Sequence, residues 1–522
     1  MSEMLLISIG LPLACCLTFS FALELLLIPR PVWPWQRPVI SVLLHKGICL
    51  LLFASLLLLL QRPWFCCISI LALQVMVVMI SNAKYHSLRE PFIYQDFSYF
   101  IDALRFPRLY LPFLGIGRAL VAVVAFFAAI YAGLILEQPL RVAYSFQQIS
   151  ALAMVLIGIG LVLLLLLGSS VRHRLTLEPV TDLQQLGLFA SLWCYFRAEQ
   201  HPWQGEGVAC FQQNLPQPGP GEQRPNMVVI QSESFFDPRR WNRSIMPDLL
   251  PHFDRLKQES LQHGTLTVPA WGANTVRTEA AFLTGIPNQQ LGIHRFKPYR
   301  RFARQRLATL VSYLKKQGYR TVCLHPYASG FYDRATVFPG LGFDQFIDIT
   351  RFSAVDYHGQ YVGDTAVARE IYVELAGHDT PGSKPLFLFV ITMENHGPLH
   401  LEKPQPEDRQ RFFTASLPEG CDDLTVYLHH LEQADLLLGK VREQLAAMQH
   451  EGLLCLYGDH LPIMPQVYQT LGEPDGTVDY LVWSNKKQMD GVAAQMLAVE
   501  QLAAVLLKKA GLGAVSQSGN SL

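Results

Sequence analysis

The apolar positions of this chain fall into two regimes. Through the first third they form long unbroken runs; beyond about residue 224 they shorten to strand length and alternate with helical patterns. A helix needs about 20 apolar residues to cross a bilayer. Five runs answer to that requirement: Leu5 to Ile28, Ile40 to Leu60, Phe65 to Ile80, Ala119 to Leu136 and Ile149 to Leu167. The third is short unless it continues toward Ala83. The first is too long for an ordinary signal peptide and lacks the basic start and small-residue cleavage site. Residues 1–167 therefore read as a polytopic α-helical membrane domain. Between the third and fourth runs, Lys84 to Arg118 mixes Arg89, Glu90, Pro91, Asp96 and Asp102 with many aromatics. That is the pattern of an interfacial or re-entrant segment, or of a structured loop with an aromatic belt. Because this segment is the loop richest in Lys and Arg, the positive-inside rule alone would put it, and the C-terminal domain, in the cytoplasm.

After the fifth run the composition turns mixed. An amphipathic stretch from Leu183 to Phe196 is followed by Leu215-Pro-Gln-Pro-Gly-Pro-Gly221, which can be neither helix nor central strand. Residues 168–223 thus read as a juxtamembrane helical linker, 224–510 as an α/β domain, and 511–522 as a flexible tail. Composition adds two constraints. The 522 residues are 50% hydrophobic and the mean hydropathy is +0.22, above what a soluble protein of this size requires. With 42 basic and 42 acidic residues there is no bulk field to attract nucleic acid, which is set aside as a partner. Cys15, Cys16, Cys49, Cys66 and Cys67 lie in apolar runs as small hydrophobes. Cys194, Cys210, Cys323, Cys421 and Cys455 permit at most two disulfides, and no pair has the C-x-x-C spacing of a zinc ribbon or redox site.

Four strand-like runs in the C-terminal domain end in residues able to bind metal or phosphate. Met227-Val-Val-Ile-Gln-Ser-Glu233 ends in a carboxylate. Thr321-Val-Cys-Leu-His325 and Leu386-Phe-Leu-Phe-Val-Ile-Thr-Met-Glu-Asn-His396 end in imidazoles. Leu453-Leu-Cys-Leu-Tyr-Gly-Asp-His460 ends in both. In an open α/β sheet ligands bind at the carboxyl ends of parallel strands, so these ends are expected to meet in one crevice. A lone histidine after a strand is ordinarily a loop residue; four such ends together outweigh that reading. Glu233, Asp459 and His460 form a mixed oxygen and nitrogen set that suits manganese, zinc or magnesium. A fourth ligand would be the nucleophile itself, whose hydroxyl loses its proton more readily on a cation. Thr275 is the candidate, in Trp271-Gly-Ala-Asn-Thr-Val-Arg-Thr-Glu-Ala-Ala-Phe-Leu-Thr-Gly285. There a Gly-containing loop opens a helix whose free N–H groups and positive dipole end suit a phosphate. The plainer alternative makes Asn274 or Thr275 a helix cap. Thr278 is the rival nucleophile, three residues further in. Arg334, in Phe331-Tyr-Asp-Arg334, would neutralise phosphate charge beside Tyr332; in isolation it reads as a surface salt-bridge arginine.

The motif order Ser232-Glu233-Ser234, Asn274-Thr275-Val-Arg-Thr-Glu279, Phe331-Tyr-Asp-Arg334, Asn395-His396-Gly-Pro398 and Gly458-Asp459-His460 resembles the lipoteichoic acid synthase family of phosphoglycerol transferases. That family sits in the alkaline phosphatase and sulfatase superfamily, and the resemblance runs over nearly the whole chain. It implies that Glu233, Thr275, Asp459 and His460 hold a divalent metal, commonly manganese, with Thr275 as nucleophile. His325, Tyr332, Arg334 and His396 would contact the phosphate and head group, His396 and Arg334 serving catalysis. At position 332 the synthases carry Trp; Tyr332 keeps an aromatic wall but alters the fit. The implied donor is phosphatidylglycerol: threonine attacks its phosphate, diacylglycerol leaves, and an acceptor hydroxyl takes the glycerophosphate. The resemblance also implies a multi-pass protein of the bacterial inner (cell) membrane with its catalytic domain facing the periplasm or exterior, against the loop-charge reading. The Gln-, Arg- and Trp-containing, Lys-poor sequence departs from Gram-positive synthases and points to a glycan or glycolipid acceptor. Two other readings stand beside this one. A phosphoethanolamine transferase, drawing on phosphatidylethanolamine, shares the fold and the threonine. A non-catalytic membrane scaffold would keep the fold without the reaction. Sulfate-ester hydrolysis needs a Cys or Ser in C/S-x-P-x-R, and none of Cys210, Cys323, Cys421 or Cys455 begins such a motif.

Overall fold

The computed structural model describes residues 3–100, 105, 109, 116–168, 175–205, 207–212, 223–302, 307–380, 382–487, 489 and 491–513. It divides into two compact units, Met1–Pro202 and Trp203–Leu522.

In the first unit, Glu3–Glu24, Val39–Leu60, Pro63–Leu88 and Phe146–Leu167 are long and apolar enough to cross a bilayer, four such helices among the described residues. A helix bonds its own backbone groups, which is the condition for crossing hydrocarbon. The helix Ile116–Leu136 coincides with the fourth expected run, though several of its side chains lie outside the described residues. The short third run is lengthened at both ends. Pro63 sits in the first turn, where its missing N–H is no loss, and Arg89 ends the helix in the left-handed region with φ 54°. The helices Pro179–Leu186 and Leu188–Glu199 belong to this unit. The buried Glu24 carboxylate anchors the second of them, accepting from the Leu188 N–H at 2.7 Å while pairing with Arg37 and lying 3.2 Å from His45. Lys84 pairs with Glu90 and Asp96, each at 2.6 Å, so this cation is neutralised within an ordered connection. Most of the remainder of that segment, the 215–221 run and most of the expected tail lie outside the described residues. All ten cysteines are free thiols.

The second unit is built on β1 (Asn226–Ser232), β2 (Gln262–Thr267), β3 (Arg320–Leu324), β4 (Gln345–Ile347), a small hairpin of β5 (Tyr357–His358) and β6 (Tyr361–Val362), then β7 (Leu386–Ile391), β8 (Gly452–Gly458), β9 (Val478–Ser484) and β10 (Gln495–Ala498). Eight of them form one sheet in the order β10-β2-β9-β8-β1-β7-β3-β4. From β8 to β4 the strands are parallel, and β9 runs antiparallel to β8 and β2. The central strands are buried on both faces, which is why they read as unbroken apolar runs. Val228 and Ile230 enter one core with the helix Asp422–Ala447; Met227 and Val229 enter the opposite core with the helices Thr275–Thr284 and Val499–Lys509. Full burial of each such side chain contributes about 1.5–3 kcal/mol.

Register then positions the site. Ser232 lies opposite Gly458, and Ile230 and Leu324 both lie opposite Val390. The carboxyl ends of β8, β1, β7 and β3 therefore fall along one edge, as the four strand ends lead one to expect. Gly458 is required by close packing: a Cβ there would lie 1.9 Å from the Phe235 carbonyl oxygen.

Candidate active site

The residue after β1 is Glu233, and the chain turns at once. Ser234 sits in the left-handed region at φ 53°, a conformation that costs a non-glycine residue about 1–2 kcal/mol. The turn is held by its own bonds: the Ser234 N–H donates to Asp459 Oδ1 at 2.8 Å and its hydroxyl to Glu233 Oε1 at 3.0 Å. Just after β7, Thr392 Oγ1 accepts the Glu233 N–H at 3.0 Å. Asp459 and His460 follow β8. His460 Nε2 lies 3.3 Å from Asp459 Oδ2 and 3.6 Å from Glu233 Oε1. One ligand atom from each of Glu233, Asp459 and His460 lies within 4.8 Å of the others, all three residues being buried.

Thr275 is the first residue of the helix Thr275–Thr284, behind Asn274 in the left-handed region at φ 68°. Asn274 makes no side-chain cap to that helix, so the plain capping role does not explain the pair. Thr275 Oγ1 stands 3.4 Å from His460 Nε2 and the residue is 7% exposed. Thr278 is buried, and its hydroxyl donates to the Asp459 carbonyl at 2.8 Å, bracing the loop that carries the ligands.

Two carboxylates and one imidazole crowd this buried space. Burial, reinforced by the Asp459 charge, pushes the Glu233 carboxyl up to about 8. Asp459 Oδ2 makes no hydrogen bond among the described residues, with the His460 ring 3.3 Å away as its neighbour. A buried anionic oxygen left unpaired is costly, and a divalent cation removes that cost. The donor set fits such an ion: Glu233, Thr275, Asp459 and His460 are the residues that would hold it.

His396 follows β7. Burial holds its imidazole below the usual range. Its Nδ1 is 2.6 Å from the Gly397 carbonyl oxygen, which only accepts, so Nδ1 carries the hydrogen and Nε2 presents a lone pair. The Tyr361 hydroxyl donates to the same carbonyl at 2.9 Å. Beside it, the buried amide of Asn395 has no hydrogen-bond partner on either its oxygen or its nitrogen among the described residues.

His325, after β3, faces inward. Its Nδ1–H donates to the Ile391 carbonyl at 3.1 Å and its Nε2 accepts from Arg334 Nη1 at 3.1 Å. Burial and the neighbouring guanidinium hold it well below the usual range. Arg334 is not the surface arginine that its motif in isolation would be: its side chain is 1% exposed and donates to Glu279 Oε2 at 2.8 Å. The Tyr299 hydroxyl donates to the same carboxylate, and the Tyr332 ring centroid lies 5.3 Å from the guanidinium carbon. Glu279 has no role on motif grounds, yet it sits four residues after Thr275 and therefore on the same helix face. That spacing is the signal for it. Arg334→Ala leaves the Glu279 carboxylate buried without its cation, so unfolding free energy should fall by about 3–5 kcal/mol. Denaturant titration of the detergent-solubilised chain measures this; a loss below about 1 kcal/mol would show that the pair does not hold the pocket wall.

With this geometry in place the comparisons with known proteins become specific. The sulfatase family model matches residues 225–512, from the start of β1 to the end of the last helix. The chain belongs to the sulfatase family. A relative in Rhizobium meliloti (strain 1021), the capsular polysaccharide biosynthesis protein RkpI, is 27% identical over 471 residues, covering 87% of this chain and 83% of that protein. Another protein of that organism, named for cyclic beta-1,2-glucan modification, is 27% identical over 310 residues, covering 55% of this chain and 46% of that protein. Among solved structures, the integral membrane lipooligosaccharide phosphoethanolamine transferase A (EptA) from Neisseria meningitidis matches with a TM-score of 0.53 at 13% identity, covering 89% of this chain and 87% of that one. That likeness is one of fold, and it extends through both units. This sulfatase-family protein is thus membrane-anchored, joining apolar helices to an α/β domain of the alkaline phosphatase and sulfatase type.

Proposed function

We propose that this sulfatase-family protein is a phosphotransferase that moves glycerophosphate from phosphatidylglycerol, through Thr275, to a glycan or glycolipid acceptor outside the cytoplasm. The observation that carries the reading is the Thr275 hydroxyl at a helix N-terminus, 3.4 Å from His460 Nε2 and beside the Glu233 and Asp459 carboxylates. In the first transfer the bond from Thr275 Oγ to phosphorus forms and the phosphate–diacylglycerol bond breaks, the threonine proton passing to the departing oxygen. In the second, the acceptor oxygen takes the phosphorus and its proton returns to Thr275. His396, neutral and with Nε2 open, is the group to carry that proton. A divalent cation held by Glu233, Thr275, Asp459 and His460, manganese first with zinc or magnesium as alternatives, supplies a lowered proton affinity at the hydroxyl and charge neutralisation at the phosphate. The N–H groups at the start of the helix face the same anion. His325, Tyr332 and Arg334 form the wall beside the head group.

The head group is read from the motif order. The relatives named for capsular polysaccharide and cyclic glucan support the glycan acceptor. A lipid donor and an external glycan are consistent with a multi-pass inner-membrane protein whose catalytic unit faces the periplasm or exterior. The EptA likeness keeps phosphoethanolamine transfer as the second reading. Intact-mass analysis of the detergent-solubilised chain, incubated with manganese and either phosphatidylglycerol or phosphatidylethanolamine, separates them. A glycerophosphate adduct mapped to Thr275 is the expected result. A phosphoethanolamine adduct would replace the donor, and no adduct from either lipid would favour the scaffold reading.

A further inference from the structure

Away from this centre, three side chains from three separate elements bring potential ligand atoms together. His358 ends β5, Glu394 lies in the loop after β7, and His430 lies in the helix Asp422–Ala447. One ligand atom from each falls within 4.8 Å of the others. Glu394 and His430 are buried and His358 is half-exposed, so the group has one open side.

The orientation of His430 is the informative part. Its Nε2 lies 3.0 Å from Glu402 Oε2, a carboxylate that only accepts, so Nε2 carries a hydrogen. Its Nδ1 has no hydrogen-bond partner although the ring is 1% exposed, and it faces Glu394 Oε1 across 3.6 Å. That gap is too wide for a hydrogen bond. A lone pair and a carboxylate oxygen facing each other repel, so a cation stands between them: a proton on His430 Nδ1 when the site is empty, and a metal ion when it is filled. The same Glu394 oxygen pairs with His358 Nδ1, and Glu394 Oε2 accepts the Asp364 N–H, so the carboxylate is held in place. Asp364 Oδ1 is likewise buried and without a hydrogen-bond partner among the described residues. An imidazole whose outer nitrogen is fixed by a carboxylate while its inner nitrogen points at other ligands is the arrangement of a metal-bound histidine. The 3.6 Å between His430 Nδ1 and Glu394 Oε1 is near the spacing of two zinc ligands, since donors about 2.1 Å from a tetrahedral zinc ion stand about 3.4 Å apart.

We propose that His358, Glu394 and His430 form a second metal site, of the zinc class, distinct from the one at Glu233, Asp459 and His460. Two imidazoles and one carboxylate suit zinc, with a fourth position left open toward His358. The first centre is richer in oxygen and takes manganese or magnesium as well. The sites are linked through one loop, because Glu394 lies two residues before His396. Filling the second site fixes the start of the segment that presents the His396 imidazole.

The test uses the full chain in detergent, stripped with chelator, dialysed against zinc chloride and counted for zinc per polypeptide by mass spectrometry. The wild type is expected to hold two zinc equivalents. His430→Gln and His358→Ala are each expected to hold one, with affinity at the lost site at least about 100-fold weaker. Asp459→Asn is also expected to hold one, and Asp459→Asn combined with His430→Gln none. The proposal is overturned if the wild type holds a single equivalent that Asp459→Asn removes, or if His430→Gln and His358→Ala both keep two. Should His430→Gln fail to fold, His358→Ala decides alone, since it alters a half-exposed hairpin. None of these outcomes depends on the head group or on Thr275, so this proposal and the proposed reaction stand or fall separately.

Discussion

Replacing Thr275 by alanine should abolish the proposed glycerophosphate transfer while leaving the protein folded. The change removes one hydroxyl at the first position of a helix, where alanine is well tolerated, and that hydroxyl makes no bond to the sheet. What is lost is the atom that forms the covalent bond. Removing a nucleophile that acts as a unit with its base and ligands costs at least about 10⁴-fold in turnover. The measurement is transfer of labelled glycerophosphate in proteoliposomes, with the adduct on the protein followed in parallel. Turnover above a tenth of the wild type would remove Thr275 from the mechanism. Thr278→Ala is the control, because its hydroxyl is already committed to the Asp459 carbonyl. It should weaken the site by loosening that loop and leave the adduct on Thr275 detectable.

Asp459→Asn should lose the metal held beside Thr275 and activity together. The substitution keeps the side-chain size and an oxygen able to accept the Ser234 N–H, so the turn after β1 survives. It removes one of two negative charges around the ion and the oxygen that makes no hydrogen bond among the described residues. Changes to residues that merely orient a ligand cost about 10–100-fold in affinity, so loss of a ligand charge should exceed about 100-fold. Metal content and transfer are measured on the same preparation. Activity that persists in the wild type after exhaustive chelation, or metal retained in full by Asp459→Asn, would refute this centre.

How far the sequence foretells this arrangement differs from residue to residue. The strand ends at Glu233, His325, His396 and His460 are legible because parallel strands buried on both faces read as unbroken apolar runs, and function sits where such runs stop. Thr275 is legible through the Gly272-containing loop before its helix. Arg334 is not, because burial is set by Glu279 and Tyr299, which lie 55 and 35 residues away in the chain. The strand β9 carries no ligand at its end and nothing marks its antiparallel direction. The His358, Glu394 and His430 group is drawn from a hairpin, a loop and a helix, and no spacing in one dimension encodes such a meeting. In the first unit, the apolar runs place the helices, but only the structure shows Lys84 neutralised by Glu90 and Asp96.

The pairing of Ser232 with Gly458 sets a limit on how this enzyme can change. Side chains along a strand alternate between the two cores, so deleting one residue from β1 or β8 would turn each apolar residue to the wrong layer and part Glu233 from Asp459. The sheet is in effect a ruler, and the distance from apolar run to ligand is not free to drift. Adaptation to a new head group or acceptor must therefore be written in the connections after β3 and β7, where length can vary without disturbing the nucleophile.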